Sequence, residues 1–267
     1  MSLPPAEEGL PRPLISIIIP CYNEEARLPA TLKSFDDYLL DNQGVLPVDQ
    51  VELLIVDNDS RDGTAALAAD FARSHSYARV VSETRRGKGA AVRAGMFAGH
   101  GRWLMFCDAD LAMPFTELAK FLPPMRSGYD VAIASREVPG AVRYNEPAAR
   151  HAQGRLASWL TKLVLGLPFE DTQCGYKSFE RNAAQEIFAR QTIDGFGFDF
   201  EILYIARKLG YRVDEVPIQW YHQPGSTVRP GVDTLKALGE LWRVRGNARR
   251  GLYGRQEGGV QNAKCHH

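Results

Sequence analysis

The sequence predicts an α/β protein with a mostly parallel central sheet and helices on both faces. Two observations carry that expectation. Short β-branched apolar runs such as "LISIII" (14–19) and "VELLIVD" (51–57) alternate with longer segments of helical periodicity, and strands separated by helices imply parallel crossover connections. Four strands also deliver polar residues at their ends: Tyr22 to Glu24, Asp57 to Asp59, Asp108 with Asp110, and Ser135 with Arg136. Open sheets of this kind bind ligands beyond the carboxyl ends of their strands, so these groups are expected to share one edge.

Taken in order, Leu14 to Ile19 is a continuous apolar run, as a buried parallel strand requires. The polar turn "PCYNEE" follows, then a helical pattern through Leu40. The second strand ends at Asp57, and "NDSRDGT" turns into a helix reaching about His75. "ARVVSE" is the third strand, Lys88 to Gly99 a helix of small residues, "RWLMFCD" the fourth strand, and "YDVAIASR" the next, ending at Arg136. Beyond it come a basic stretch, an amphipathic helix, the turn "DTQCGYKSF", and an aromatic-rich segment leading into another helix. Residues 1–13 and 256–267 are expected to be disordered, 14–230 to form the main domain, and 231–255 an amphipathic basic helix.

A chain of 267 residues can bury a sizeable core. Its 32 basic residues balance 32 acidic ones, which argues against a dedicated nucleic-acid binder. Cys21, Cys107, Cys174 and Cys265 are far apart and form no C-x-x-C pair, as expected for a reducing cytoplasm. The opening "MSLPPAEEGLPRP" lacks the basic start and apolar run of a signal peptide. No run reaches the roughly 18–20 apolar residues of a membrane span, so any membrane contact is expected to be peripheral.

"RRGKGAAVRAG" matches neither a phosphate loop nor a dinucleotide fingerprint, since Val92 stands where the third glycine belongs. Its Gly-Lys turn either holds a nucleotide edge through backbone N–H groups or simply opens a helix. Asp108 and Asp110 flank Ala109 at a strand end; residues two apart in an extended chain face the same side, so both carboxylates can converge on one ligand. Hard divalent cations take such oxygens and keep substrate phosphates as further ligands. Alone, the pair reads as a capped turn before Phe115; within the array of strand ends it reads as a metal site.

In the order "SIIIPCYNEEARLP", "LLIVDNDSRDGT", "GKGAAVRAGM", "FCDADLAMP" and "ASRE", the sequence resembles family 2 glycosyltransferases with the GT-A fold. "DTQCGYKSF", "GFGFDFEILYIARKLGYRVDEVPIQW" and "GSTVRP" look most like the dolichyl- or polyprenyl-phosphate β-glucosyltransferase branch, and the resemblance spans Ile15 to Arg245. It implies that Pro20, Tyr22 and Glu24 line the nucleoside pocket, with Asp57 on the base or ribose and Lys88 beside the nucleotide. It implies that Asp110 binds Mg²⁺ or Mn²⁺, that Asp108 meets the ribose, the metal or its waters, and that Ser135 and Arg136 lie near an acceptor phosphate. Asn58-Asp59 replaces the more usual Asp-Gly, which would alter base contacts. Ala112 stands where mannosyl-transferring relatives often carry a polar residue, which suits UDP-glucose as donor over GDP-mannose.

The implied partners are thus a nucleotide sugar, a polyprenyl phosphate and a peripheral membrane surface, on the cytoplasmic side. A lipid monophosphate, with a second pKa near ~6, is already anionic at pH 7 and needs no general base. It does need cations, for which Arg136 and Arg229 are the first candidates, and Arg143 and Arg150 the weaker ones. Asp199 and Glu201 face the same way if "FGFDFEIL" is extended but not if it is helical. They would orient an arginine, serve as a base toward a hydroxyl acceptor, or merely open a helix. His222 has no second histidine at ligand spacing and reads as a loop residue. "LASWLTKLVLGLPF" and "TLKALGELWRVRGNARRGLYGR" each fit either a helix lying on lipid or one docked on the domain.

Overall fold

The computed structural model describes residues 13–122, 125, 127–223 and 232–254, with the side chains at 149–150, 153, 232–235 and 237–238 left out. Arg229 and the side chains of Arg150, Leu235 and Leu238 therefore lie outside what is described. So do the two segments expected to be disordered, apart from Pro13, whose carbonyl accepts the Arg102 N–H at 2.9 Å.

Strands β1 (Ile15–Cys21), β2 (Val51–Asp57), β3 (Ala78–Ser82), β4 (Trp103–Phe106) and β5 (Val131–Ser135) come from the predicted runs. Four more follow: β6 (Val142–Tyr144), β7 (Lys177–Glu180), β8 (Val213–Pro217) and β9 (Gln219–Tyr221). The main sheet has the order β3-β2-β1-β4-β7-β5-β8, parallel throughout except for β7, which runs antiparallel to both neighbours. β6 and β9 form a separate parallel pair. The first half of "DTQCGYKSF" is the expected turn; its second half is β7.

The helices are α1 (Leu28–Asp41), α2 (Thr64–Ser74), α3 (Lys88–Ala98), α4 (Ala148–Leu165), α5 (Arg181–Arg190), α6 (Phe198–Lys208) and α7 (Val232–Arg249). They cover both sheet faces because strand side chains alternate. Ile15, Ile17 and Ile19 join Leu28, Leu32 and Phe35 of α1 in one apolar layer. Ile18, Leu54 and Val56 join α3, α5 and α6 through Val92, Ile187 and Phe198 in the other. α7 belongs to this second layer through Leu241 and Val244, so it is docked on the domain. Among the described residues no helix is long and apolar enough to cross a membrane.

The parallel strands send their carboxyl ends to one edge. Because β7 is reversed, its amino end reaches that same edge and brings the loop 171–177 with it.

Candidate active site

The first two strand-end turns are fastened together. The Glu24 N–H donates to Thr64 Oγ1 (2.8 Å), Asn23 Oδ1 accepts the Arg61 N–H (2.8 Å), and Glu25 Oε2 accepts the Gly63 N–H (2.9 Å). Half-buried Pro20 and exposed Tyr22 belong to this rim, and Arg86 lies 6.0 Å from the Tyr22 ring centre. Asp57 is buried between the turns, yet its Oδ1 has no hydrogen-bond partner among the described residues. A buried acceptor of this kind is costly to leave unmatched, and it suits a ligand N–H or hydroxyl.

Asn58 has a different task from the expected nucleotide contact. Its Nδ2 donates to the carbonyls of Glu83 and Arg85 (2.9 and 2.6 Å), and its Oδ1 accepts the Gly87 N–H (2.9 Å). The amide is a clip that shapes the loop before Lys88. The N–H groups of Gly89 and Ala90 point to the Asp194 carbonyl at 2.8 and 3.3 Å. Those amides are therefore taken, and the Gly-Lys turn acts through its lysine side chain. Gly87 is required there: its φ is 132°, and a Cβ would stand 2.1 Å from the Asp194 oxygen.

Lys88 Nζ sits 2.6 Å from Asp108 Oδ1. Burial works against its charge, but Asp108 first and then Asp199 hold its pKa above the ordinary lysine value. Asp110 Oδ1 accepts the Ala112 N–H at 3.0 Å, which is possible because Leu111 takes the left-handed conformation at φ 56°. Burial, then the charge of Asp108, raises the Asp110 pKa. Burial also raises Glu24, with Asp110 and Asp108 adding to it against the opposing charge of Arg27.

Glu24, Asp108 and Asp110 thus repel one another, balanced by Lys88 and Arg27. Asp108 and Asp110 would offer two carboxylates to a hard divalent cation. Among the described residues no group of three or more histidine, cysteine, aspartate or glutamate side chains could by itself hold a metal, so substrate oxygens would have to complete the shell.

The loop from β7 forms the floor. Gly175 lies against Asp108 so closely that a Cβ there would be 1.9 Å from Oδ2. Lys177 is fully buried, donates to the Cys174 carbonyl at 2.7 Å, and forms a short ion pair with Asp199. Breaking a buried pair like this one-sidedly costs about 3–5 kcal/mol. Cys21, Cys107 and Cys174 are buried free thiols.

The "FGFDFEIL" segment is helical, so Asp199 and Glu201 diverge. Asp199 faces Lys177. Glu201 is fully buried and accepts from Thr192 N–H (3.0 Å), Ile193 N–H (2.8 Å), Thr192 Oγ1 (2.6 Å) and the Tyr253 hydroxyl (2.7 Å). It ties α6 to the loop 192–193 and to the segment after α7, a position unsuited to a base.

At the end of β5, Arg136 makes a bidentate pair with buried Asp171: Nε to Oδ2 at 2.6 Å and Nη2 to Oδ1 at 3.0 Å, with its own N–H on Oδ2 at 3.1 Å. Trp220 lies beneath it, 5.4 Å from guanidinium carbon to ring centre. Ser135 is fully buried rather than facing a ligand. Its hydroxyl bonds Glu215, which accepts from the Glu170 and Asp171 N–H groups and so supports the loop that holds Arg136. Arg143 pairs with Glu137 and Glu146 and donates to the Arg136 carbonyl at 3.2 Å. His222 is a loop residue whose N–H donates to the Tyr144 carbonyl at 3.0 Å.

Sequence inspection missed Asp171, Gly175 and Lys177 as parts of the site, although all three lie in the quoted "DTQCGYKSF". A lysine beside apolar Tyr176 and Phe179 was the available signal: a cation placed in a buried run needs a buried anion.

An open, mostly parallel sheet with an acidic pair, a buried lysine and an unmatched aspartate at its strand ends has the architecture of the GT-A fold. A model of Glycosyl transferase family 2 matches residues 16–188, and the chain belongs to that family. The dolichyl-phosphate beta-glucosyltransferase of Drosophila melanogaster is 33% identical over 254 residues, covering 90% of this chain and 77% of that protein. The Homo sapiens protein of the same name is 31% identical, covering 88% and 76%. Among solved structures, glucosyl-3-phosphoglycerate synthase from Mycobacterium tuberculosis with Mn²⁺, UDP and phosphoglyceric acid superposes with a TM-score of 0.65 at 21% identity, covering 88% of this chain and 79% of that one. The same enzyme with Mg²⁺ and UDP gives 0.64 at 21% identity, covering 88% and 80%. At that identity the likeness is one of fold.

Proposed function

We propose that this enzyme transfers glucose from UDP-glucose to a polyprenyl (dolichyl-type) phosphate with inversion, at the cytoplasmic face of a membrane. The observation that carries this reading is the pairing, along one sheet edge, of an acidic half (Asp57, Asp108, Asp110 with Lys88) and a second half in which Asp171 and Trp220 hold Arg136 in place. The first suits a nucleoside diphosphate with its metal, the second an anionic acceptor. The names of the similar proteins support glucose and the dolichyl-type lipid.

In this reading the unmatched Asp57 Oδ1 accepts from the base or ribose, while Lys88 lies against the diphosphate. Asp110, with Asp108, would hold Mg²⁺ or Mn²⁺, and such an ion would supply charge neutralisation at the diphosphate. The acceptor needs no base. A phosphate oxygen attacks the anomeric carbon, the bond from that carbon to the UDP oxygen breaks, and UDP leaves with the electron pair. The protein's work is to hold two anions in line. Arg136, fixed by Asp171 and Trp220, is preorganised for that, and Arg229 is proposed as its partner.

A donor and acceptor screen tests the proposal: UDP- and GDP-sugars against a short polyprenyl phosphate with Mg²⁺ or Mn²⁺, with product stereochemistry read by NMR. The expected product is the β-glucosyl phospholipid from UDP-glucose. GDP-mannose as the preferred donor would overturn the sugar assignment, and transfer only to sugar hydroxyls would overturn the acceptor.

A further inference from the structure

We infer that the exposed face shared by α4 and α7 is a docking surface for an anionic lipid bilayer. This deepens the proposed function and rests on it, since it names the face by which a lipid acceptor would be met.

Leu156, Trp159 and Leu163 of α4 are 58%, 56% and 65% exposed. At positions i, i+3 and i+7 they form one stripe on the helix. Thr161 and Leu165, on the other side, are buried. On α7, Trp242 is 62% exposed, while Leu241 and Val244 hold the helix to the core. Arg245 and Arg249 follow Trp242 at the same spacing and are exposed.

One contact joins the two helices, and a second holds the end of α7 to the domain. Arg245 Nη1 donates to the Val164 carbonyl of α4. Beyond α7, the Tyr253 hydroxyl is bound to Glu201 and Asn247, which anchors the segment carrying exposed Arg250. Isolated exposed apolar residues are ordinary, but a contiguous row is not.

Charge selects the occupant. The sequence of α4 contains no acidic residue, and none follows Glu240 in α7. Over these stretches the two segments combine leucine and tryptophan with Arg155, Arg243, Arg245, Arg249 and Arg250 and add no acid of their own; the carboxylates that meet α4 come from neighbouring loops, Glu137 on Arg155 and Glu170 on Lys162. Aromatic and apolar side chains beside a row of cations match the interfacial region of an anionic membrane. The patch also adjoins the site: Arg155 of α4 reaches Glu137 at 3.6 Å, and Glu137 follows Arg136 in the chain.

Flotation with phosphatidylcholine vesicles, with and without phosphatidylglycerol and free of any polyprenyl phosphate, tests this. The unaltered protein should float with the anionic vesicles. Leu156→Ser, Trp159→Ser and Leu163→Ser together should weaken binding by about tenfold or more, with an unchanged urea unfolding curve because the side chains are exposed. Arg249→Ser with Arg250→Ser should remove the preference for anionic vesicles. Trp103 and Trp220 are buried, so a blue shift on adding vesicles reports Trp159 and Trp242.

Failure of the unaltered protein to float, or equal flotation of the triple variant, overturns the inference. So does a concentration-dependent dimer that the triple variant abolishes without a change in flotation, which would assign the face to a second copy of the chain. A water-soluble short-chain polyprenyl phosphate separates this from the function. If both proteins turn it over and neither floats, the surface is refuted and the function stands. If flotation behaves as expected and neither turns it over, the surface is supported and the acceptor assignment fails.

Discussion

Gly175→Ala tests how closely the β7 loop sets the geometry of the acidic pair. Gly175 has no positive φ, so its backbone accepts alanine without strain. The difficulty is the 1.9 Å separation between the added Cβ and Asp108 Oδ2. A carbon–oxygen contact needs about 3.3 Å, so the carboxylate or the loop must retreat by roughly 1.4 Å. A retreat of Asp108 by that distance displaces the carboxylate that now meets Lys88 at 2.6 Å. Misplacement of about 1 Å in a positioned group costs on the order of 10²-fold in rate, equivalent to about 2.7 kcal/mol of transition-state stabilisation. The expected result is therefore a roughly 100-fold lower kcat for hexosyl transfer at saturating Mn²⁺, with little change in thermal unfolding. Turnover within about threefold of the parent protein, less than 1 kcal/mol, would refute the reasoning.

Three further outcomes follow from the site. Asp171 is pushed up by burial, but the Arg136 guanidinium and its hydrogen bonds bring it below the ordinary carboxylate value. Its folded pKa is thus below the unfolded value of about 3.9, so its contribution is full above that pH and is lost as pH falls through the folded pKa. Asp171→Asn should cost about 3–5 kcal/mol at pH 7 in urea unfolding and flatten the acid decline; an unchanged decline counts against the pair. Glu201→Gln should lower stability by about 3 kcal/mol through its lost charged hydrogen bonds, roughly 6–12 °C in Tm, while kcat of the folded fraction is retained. A selective loss of kcat without loss of stability would restore a catalytic role.

Asp110 is held above the ordinary aspartate range by burial and by Asp108, with Lys88 opposing. On acidification its ionised form, the one proposed to bind metal, is lost sooner than an exposed aspartate's would be. Lys88→Met should move the fall in Mn²⁺ affinity to still higher pH when followed by calorimetry, and a shift the other way contradicts the assigned electrostatics.

The donor side of the fold was legible because its signals are local. Each of β1 to β4 is an apolar run bounded by a turn, and the turns after β1, β2 and β4 carry the acidic groups. The acceptor side depends on distant pairs. Arg136 stands 35 residues from Asp171, and Lys177 stands 22 from Asp199, separations that no periodicity encodes. β7 is four residues long and includes a lysine, so it showed no alternating pattern. Ser135 and Asn58 have the residue types of ligand contacts, but only the coordinates show their polar atoms engaged by Glu215 and by the loop 83–87. Glu201 turned on whether its segment is helical or extended, and the chain's own periodicity left both open.

The reversed strand has a consequence for how such an enzyme diversifies. β7 is a seam: it hydrogen-bonds β4, on the donor side, along one edge and β5, on the acceptor side, along the other. The donor strands are joined among themselves, and Asp57, Lys88 and Asp110 all precede the seam in the sheet. Helix α4, the β6–β9 pair and the loops proposed to meet the acceptor are attached across it. Acceptor preference can therefore be rewritten by exchanging parts on one side while the nucleotide half keeps its shape, and a chimera joined through the β7 seam is the natural unit for doing so.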